Sequence, residues 1–378
     1  MVSVADCLRQ HAPAYLAKYG DAVPLGHRKV IAAITRCRTG ALGGILYGCG
    51  DCGTKYWVGR SCGNRHCPTC GHDKTAAWLD KQSRRLMPVH HFLVTFTVSE
   101  ELRSVLRGCQ GPGYAALFRA GADSIRDVAS ATKSLRGCRM GFFGVLHTWG
   151  RDPCVYNPHV HFVVPGGGVS EDRSEWKATP ENFLFHHATL IRVYKAKLAD
   201  ALRACDLYDC VPAGAWKAKF VVDIKPVGNG QAVLKYLAPY VHRVAISDNR
   251  IVACDDASVT YRYTPSGTEQ SKTRRVTGNE FVRGFVQHTL PSGFQKVRHY
   301  GWMSSNCRIT LAEVKWLVWL FLGWTYWLAS GHAPQEPPPE KTPVCCPHCG
   351  GQMHIIDIAY YPVPATLLEH PIPYLDSG

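Results

Sequence analysis

The segment Asn157-Pro158-His159-Val160-His161-Phe162-Val163-Val164 restricts the fold more than any other stretch of the chain. Its run of branched and aromatic residues favours a β-strand. Side chains alternate faces along a strand, so His159 and His161 share one face while Val160 points into the opposite layer. Upstream, Gly144-Val145-Leu146-His147-Thr148-Trp149 also reads as a strand, and Gly150-Arg151-Asp152-Pro153 and Asn157-Pro158 supply turn signals between the two. An antiparallel hairpin would put His147 beside the pair. Three imidazoles would leave the other positions of a divalent ion open to substrate oxygens. Core or surface histidines satisfy the same pattern, so a second feature is needed.

That feature is Lys235-Tyr236-Leu237-Ala238-Pro239-Tyr240-Val241-His242-Arg243. Tyrosines four apart on a helix lie on one face, which would present two phenols to one spot. A phenol, with a pKa near ~10, attacks poorly unless a cation favours the phenolate, and an ion on a phosphate makes phosphorus a better target. Histidines plus tyrosine therefore point to transesterification of a phosphodiester. Pro239 has no N–H and kinks or ends the helix, so the alternatives are two nucleophiles, one nucleophile with the other ring packing or stacking on a base, or two core rings.

The cysteines carry the strongest local signal. Cys49-Gly50-Asp51-Cys52 and Cys67-Pro68-Thr69-Cys70 are C-x-x-C knuckles fourteen residues apart, a spacing that lets Cys49, Cys52, Cys67 and Cys70 surround one structural Zn2+. Cys62 and His66 lie beside the second knuckle and offer a replacement ligand or part of a second site. Cys346 and Cys349 make a further knuckle with only Cys345, His348 and His354 as local additions, so any partners for it come from elsewhere in the fold. The seventeen cysteines are odd in number, and no basic-then-apolar leader opens the chain, so reduced thiols, metal and a cytoplasmic location are expected.

A formal charge of +14 favours a polyanionic partner. Basic residues from Arg262 to His299 alternate with Tyr261, Tyr263, Phe281, Phe285, Phe294 and Tyr300, which suits either a single strand stacked on rings or an aromatic core under a solvated face. The glycines at 166–168 lack the lysine of a phosphate-binding loop and read as a plain loop, so no ATPase is expected. The aromatic run at 314–329 is too short for a membrane span and reads as a buried or partner-binding helix. Strands and helices interleave without regular alternation, which predicts an α+β domain with helices on a mostly antiparallel sheet.

Together, the His and Tyr motifs with Ser61-Cys62-Gly63-Asn64-Arg65-His66-Cys67-Pro68-Thr69-Cys70, Gly144-Val145-Leu146-His147-Thr148, Arg243-Val244-Ala245-Ile246-Ser247 and Gly293-Phe294-Gln295-Lys296-Val297-Arg298-His299-Tyr300-Gly301 resemble the HUH endonucleases, and more closely the rolling-circle-type transposases of the insertion sequence 91 family. The resemblance covers roughly residues 20 to 310. It implies an HUH nuclease core over 89–310, preceded by a helical segment with a small zinc-ribbon domain over 1–88; composition marks the remainder, 311–378, as a tail with an aromatic helix and a proline-rich linker. It also implies a DNA strand transferase. His159 and His161, with His147, would hold Mg2+ or Mn2+ on single-stranded DNA, and Tyr236 or Tyr240 would form a 5′-phosphotyrosine, with no ATP and no membrane involved. The competing readings are a plasmid replication initiator or relaxase of the same chemistry, and a zinc-dependent DNA-binding regulator whose histidines are structural.

Overall fold

The computed structural model describes residues 2–218, 220–229, 234, 245–265, 267–323 and 344–368. Tyr236 and Tyr240 lie outside them. In chain order come α1 (Val4–Tyr19), α2 (Leu25–Thr35), β1 (Gly44–Cys49), β2 (Lys55–Gly59), α3 (Pro68–Ser83), β3 (His90–Thr97), α4 (Leu102–Gly108), α5 (Gln110–Ala131), β4 (Cys138–Arg139), β5 (Gly141–Trp149) and β6 (Tyr156–Pro165). There follow β7 (Gly167–Ser170), β8 (Trp176–Ala178), α6 (His187–Arg203), β9 (Val222–Asn229), β10 (Ile251–Cys254), β11 (Ser258–Tyr263), β12 (Lys272–Thr277), α7 (Gly278–Val286), β13 (Val297–Gly301), α8 (Leu311–Leu322) and β14 (Met353–Ala359).

Strands β5 and β6 sit at the middle of a five-stranded sheet ordered β13-β5-β6-β3-β9, and every pairing in it is antiparallel. The expected α+β class with an antiparallel core is the one observed. Alternation gives the sheet two unlike faces. On one, Phe92, Val94, Phe96, Phe142, Leu146, Val160, Phe162 and Val164 are buried under α5 and α6. Phe162 makes edge contacts with Phe96 and Phe118, and each such fully buried side chain contributes ~1.5–3 kcal/mol. On the other, Leu93, Phe143, Val145 and Val163 are covered by Trp302 and by Val314, Leu317 and Val318 of α8. That apolar cover ends where the histidines begin.

The rest of the chain braces this sheet. α1 opens with a capping box between Ser3 and Asp6, and α1 and α2 share a core with the β10-β11-β12 sheet and α7. Tyr261, Phe281 and Phe285 are buried there, so those rings are core rather than stacking platforms. The glycine run, expected as a loop, instead enters β7. A Cβ on Gly167 would lie 2.5 Å from the Trp176 ring of the paired strand β8, so the run is glycine because strands and rings approach closely. β14, near the C-terminal end, pairs with β1 to complete a β14-β1-β2 sheet.

α8 begins with a capping box of Thr310 and Glu313 and leaves Trp316, Leu320 and Phe321 exposed. Among the described residues no helix is long and apolar enough to cross a membrane.

Close approach also explains Gly144. A Cβ there would stand 2.7 Å from Phe162 and 3.1 Å from Phe118, in a core with no room to give. Gly144→Val should cost ~1–3 kcal/mol. A thermal melt of the variant should show a clear drop in Tm; an unchanged Tm would contradict this packing.

Candidate functional site

Register makes the site. His147 on β5 lies directly opposite His159 on β6, and Val145 lies opposite His161. The three imidazoles therefore project from one face, with ring centroids 5.3, 4.6 and 4.7 Å apart for 147–159, 147–161 and 159–161. Each ring offers a ligand nitrogen within 4.8 Å of the others. His159 Nδ1 lies 2.7 Å from the Asn157 carbonyl and His161 Nδ1 lies 2.8 Å from the Thr95 hydroxyl, Thr95 being its cross-strand partner on β3. With Nδ1 engaged in both rings, Nε2 is the nitrogen left to face an ion.

Burial lowers the pKa of all three rings, to about 4 for His159 and well below the ordinary value for His147 and His161, where the neighbouring imidazoles add to the effect. Neutral imidazoles are the form a metal needs. The triad thus fits a divalent cation by donor type, by spacing and by protonation state.

Trp149 extends the site. Its ring stacks on His147 at 5.4 Å, and the Lys296 ammonium lies 4.8 Å from its centroid. Burial, helped by the charge of Arg65, lowers that ammonium to about 7. The loop bearing Lys296 is pinned from the N-terminal part of the chain. Arg65 donates to the carbonyls of Phe294 and Pro291 at 2.7 and 2.6 Å, and His66 Nε2 accepts from the Leu290 amide at 3.3 Å. His66, beside the second knuckle, is thus a backbone clasp in this structure.

The cysteines form two clusters, not one. Cys67 and Cys70 meet Cys37 and Cys62, with Sγ separations of 3.7 Å for 37–70 and 62–70 and 3.8 Å for 37–67. Cys49 and Cys52 meet Cys346 and Cys349, at 3.4 Å for 49–349 and 3.7 Å for 52–346. Zinc held at ~2.3 Å from four tetrahedral thiolates needs S···S edges of about 3.8 Å, so both clusters fit structural zinc.

The single four-thiol site expected of Cys49, Cys52, Cys67 and Cys70 is thereby divided, each knuckle finding other partners. The physical reason is the β1-β14 pairing, which sets Cys49 opposite Met353 and turns the two terminal knuckles face to face. Hydrogen bonds from the Thr54 side chain and backbone hold the Cys52 thiol down at about 6, ready to ligate.

Of the residues singled out in the sequence, His147, His159 and His161 come together, and Cys62 takes the ligand place open to it. Cys37, Thr95 and Trp149 were not anticipated. Cys37 is a lone cysteine just past α2 and carries no spacing signal, whereas Thr95 and Trp149 depend on strand register.

Comparisons with known proteins agree with this geometry. The family described as "Putative transposase" matches residues 141–310, and that described as "Transposase zinc-binding domain" matches residues 7–98. The protein named "Putative transposase y4qJ" of Sinorhizobium fredii is 35% identical over 325 residues, 81% of each chain. The transposase for insertion sequence element IS801 of Pseudomonas savastanoi pv. phaseolicola is 26% identical over 299 residues, 74% of this chain and 70% of that one. No solved structure matches the chain significantly.

Two measurements check the site. Native mass spectrometry should find two zinc ions per chain, one for each cluster. Cys346→Ser should lose one and loosen the tail to protease, whereas Cys62→Ser should lose the other and cut stability more, since its cluster lies inside the N-terminal core.

The second concerns acid. Burial holds His91, His288 and His299 at about 4, against ~6.5 when unfolded. The unfolded chain binds more protons between these values, so stability is full above pH ~6.5 and falls as pH drops toward 4. Urea midpoints across that window should decline steeply; a flat profile would contradict the burial of these rings.

Proposed function

Because this chain belongs to the insertion sequence 91 family of transposases, we propose that it cleaves and rejoins single-stranded DNA at the ends of its element through a phosphotyrosine intermediate. DNA is the partner of a transposase, and the excess of lysine and arginine suits it. The observation that carries the chemistry is the neutral triad of buried His147 and His159 with half-buried His161, on the same face as the apolar cluster of the sheet.

The triad would hold Mg2+ or Mn2+, which when bound polarises a phosphate as a Lewis acid. Asn157 and Thr95 orient the imidazoles, and Trp149 and Lys296 shape the approach. The nucleophile comes from Tyr236 or Tyr240. Leu234 supports this assignment. It is buried with Leu93, Phe143, Val145 and Val163, on the histidine face of the sheet, and two residues of chain separate the Cα atoms of Leu234 and Tyr236 by at most ~7 Å.

The tyrosine oxygen attacks phosphorus, a P–O bond to tyrosine forms, and the P–O3′ bond breaks. The leaving 3′ oxygen takes up a proton, and the 5′ phosphate stays on the protein. Attack by a different 3′-hydroxyl reverses these bonds and joins the strand elsewhere. The ester conserves the bond energy, so no ATP enters. A second tyrosine would let one hold the donor strand while the other cleaves.

The test is covalent trapping. Labelled single strands from the element's ends, mixed with the protein and Mn2+, should yield an adduct that survives a denaturing gel. The adduct should vanish when Mn2+ is left out and with His159→Ala, and should be lost with Tyr236→Phe, Tyr240→Phe or both. Tight binding with no adduct on any end sequence would instead identify a DNA-binding regulator.

A further inference from the structure

Beside the triad, between α3 and the edge where β5 meets β13, lies a cavity of about 410 Å³ that shares Trp149 and Lys296 with the approach to the histidines. Trp78 and Trp149 form aromatic walls, and Arg65, Lys81, Arg85 and Lys296 surround them. Among its described lining residues there is no aspartate or glutamate. A cavity with several cations and no acid repels a cationic ligand and leaves a neutral one with unmatched charge. It matches a ligand that carries both a flat ring and a phosphate.

Its floor is also equipped to read a ring edge. Gln82 is buried, and its Oε1 accepts from His299 Nε2 at 3.2 Å, so this amide is oriented within the cavity by a partner that is itself a lining residue. Thr148 and His288 make a second such pair at 3.2 Å. Trp149 is shared with the triad, stacking on His147 at 5.4 Å, so whatever occupies the cavity is one ring away from the metal ligands.

We propose that this cavity is a nucleotide subsite, receiving one unstacked base of the DNA strand and its phosphate next to the phosphate that meets the histidines. The proposal rests on the strand-transfer reading for what the neighbouring phosphate does, but not for its own occupancy. α3 starts at the Cys37/Cys62/Cys67/Cys70 cluster, so the zinc-bearing part of the chain supplies one wall and contributes to choosing the nucleotide.

The experiment measures binding with no Mg2+ or Mn2+ added and no chelator, so that the structural zinc stays in place, using labelled single strands from the element's ends with one abasic site walked along the sequence. Wild type should lose about tenfold in affinity at a single position, the scale of one lost base stack. Trp78→Ala should bind the intact strand about tenfold more weakly and no longer distinguish that abasic strand, while Trp78→Phe restores the distinction.

Trp78 packs against Phe143, so a second, half-buried position guards against a folding defect. Arg85→Ala should lower the slope of log affinity against log salt by about 0.7, the value for one phosphate contact on a single strand. Equal abasic effects in wild type and Trp78→Ala, or an unchanged salt slope in Arg85→Ala, would overturn the subsite. A position-specific abasic effect without any adduct in the trapping assay would leave the subsite standing and remove the tyrosine chemistry.

Discussion

The pairing of β5 with β6 is the interaction on which the rest of this structure depends. It sets His147 opposite His159 and leaves His161 two residues along the same face. A slip of one residue would send His147 into the aromatic core with Leu146 and Phe162 and expose apolar residues in its place. The register is held by what lies behind it. Gly144 leaves the space that Phe162 fills, and Phe162 touches Phe96, Phe118 and Phe142. The histidine-bearing side of the sheet is precise because the other side is tightly packed.

Burying three imidazoles in one place sets up a conflict. Desolvation disfavours the charged form of each, and each charged ring would repel the others, so the folded protein keeps all three neutral. Without an ion such a cluster is a strained way to fill a core. With one, the same burial becomes an advantage, because no protons need to be displaced from the ligands.

The two thiol clusters solve a separate problem. The segments 36–70 and 344–359 bury few of their large apolar residues, with Ile355, Ile356 and Ile358 exposed, and short strands such as β1 and β2 bury little surface. Crosslinks through metal replace a core. One cluster joins the end of α2 to the start of α3, and from there Arg65 and His66 hold the loop that carries Lys296 against the histidine site. The other ties β1 to β14, so segments 300 residues apart build one small sheet. The zinc-binding region and the five-stranded sheet are thus mechanically connected through a few hydrogen bonds to backbone groups.

The sequence by itself determined the local pieces. Period-two alternation marked β3, β5, β6 and β11, the turn residues at 150–158 marked the hairpin, and so His147, His159 and His161 were legible as one group. Knuckle chemistry marked Cys49, Cys52, Cys67 and Cys70 as metal ligands and left Cys346 and Cys349 as a knuckle without partners, and charge marked a polyanionic partner.

Only tertiary structure decided which knuckle faces which, because spacing along the chain does not report β14 crossing to pair with β1. It alone recruited Cys37, which has no motif around it. It placed Thr95 behind His161 and Trp149 between the triad and the cationic cavity, positions fixed by strand register and by α3 lying over the sheet edge. Local periodicity follows from backbone geometry and can be read residue by residue, whereas a site assembled from segments as far apart as 49 and 349 exists only once long-range pairing has closed the loops between them.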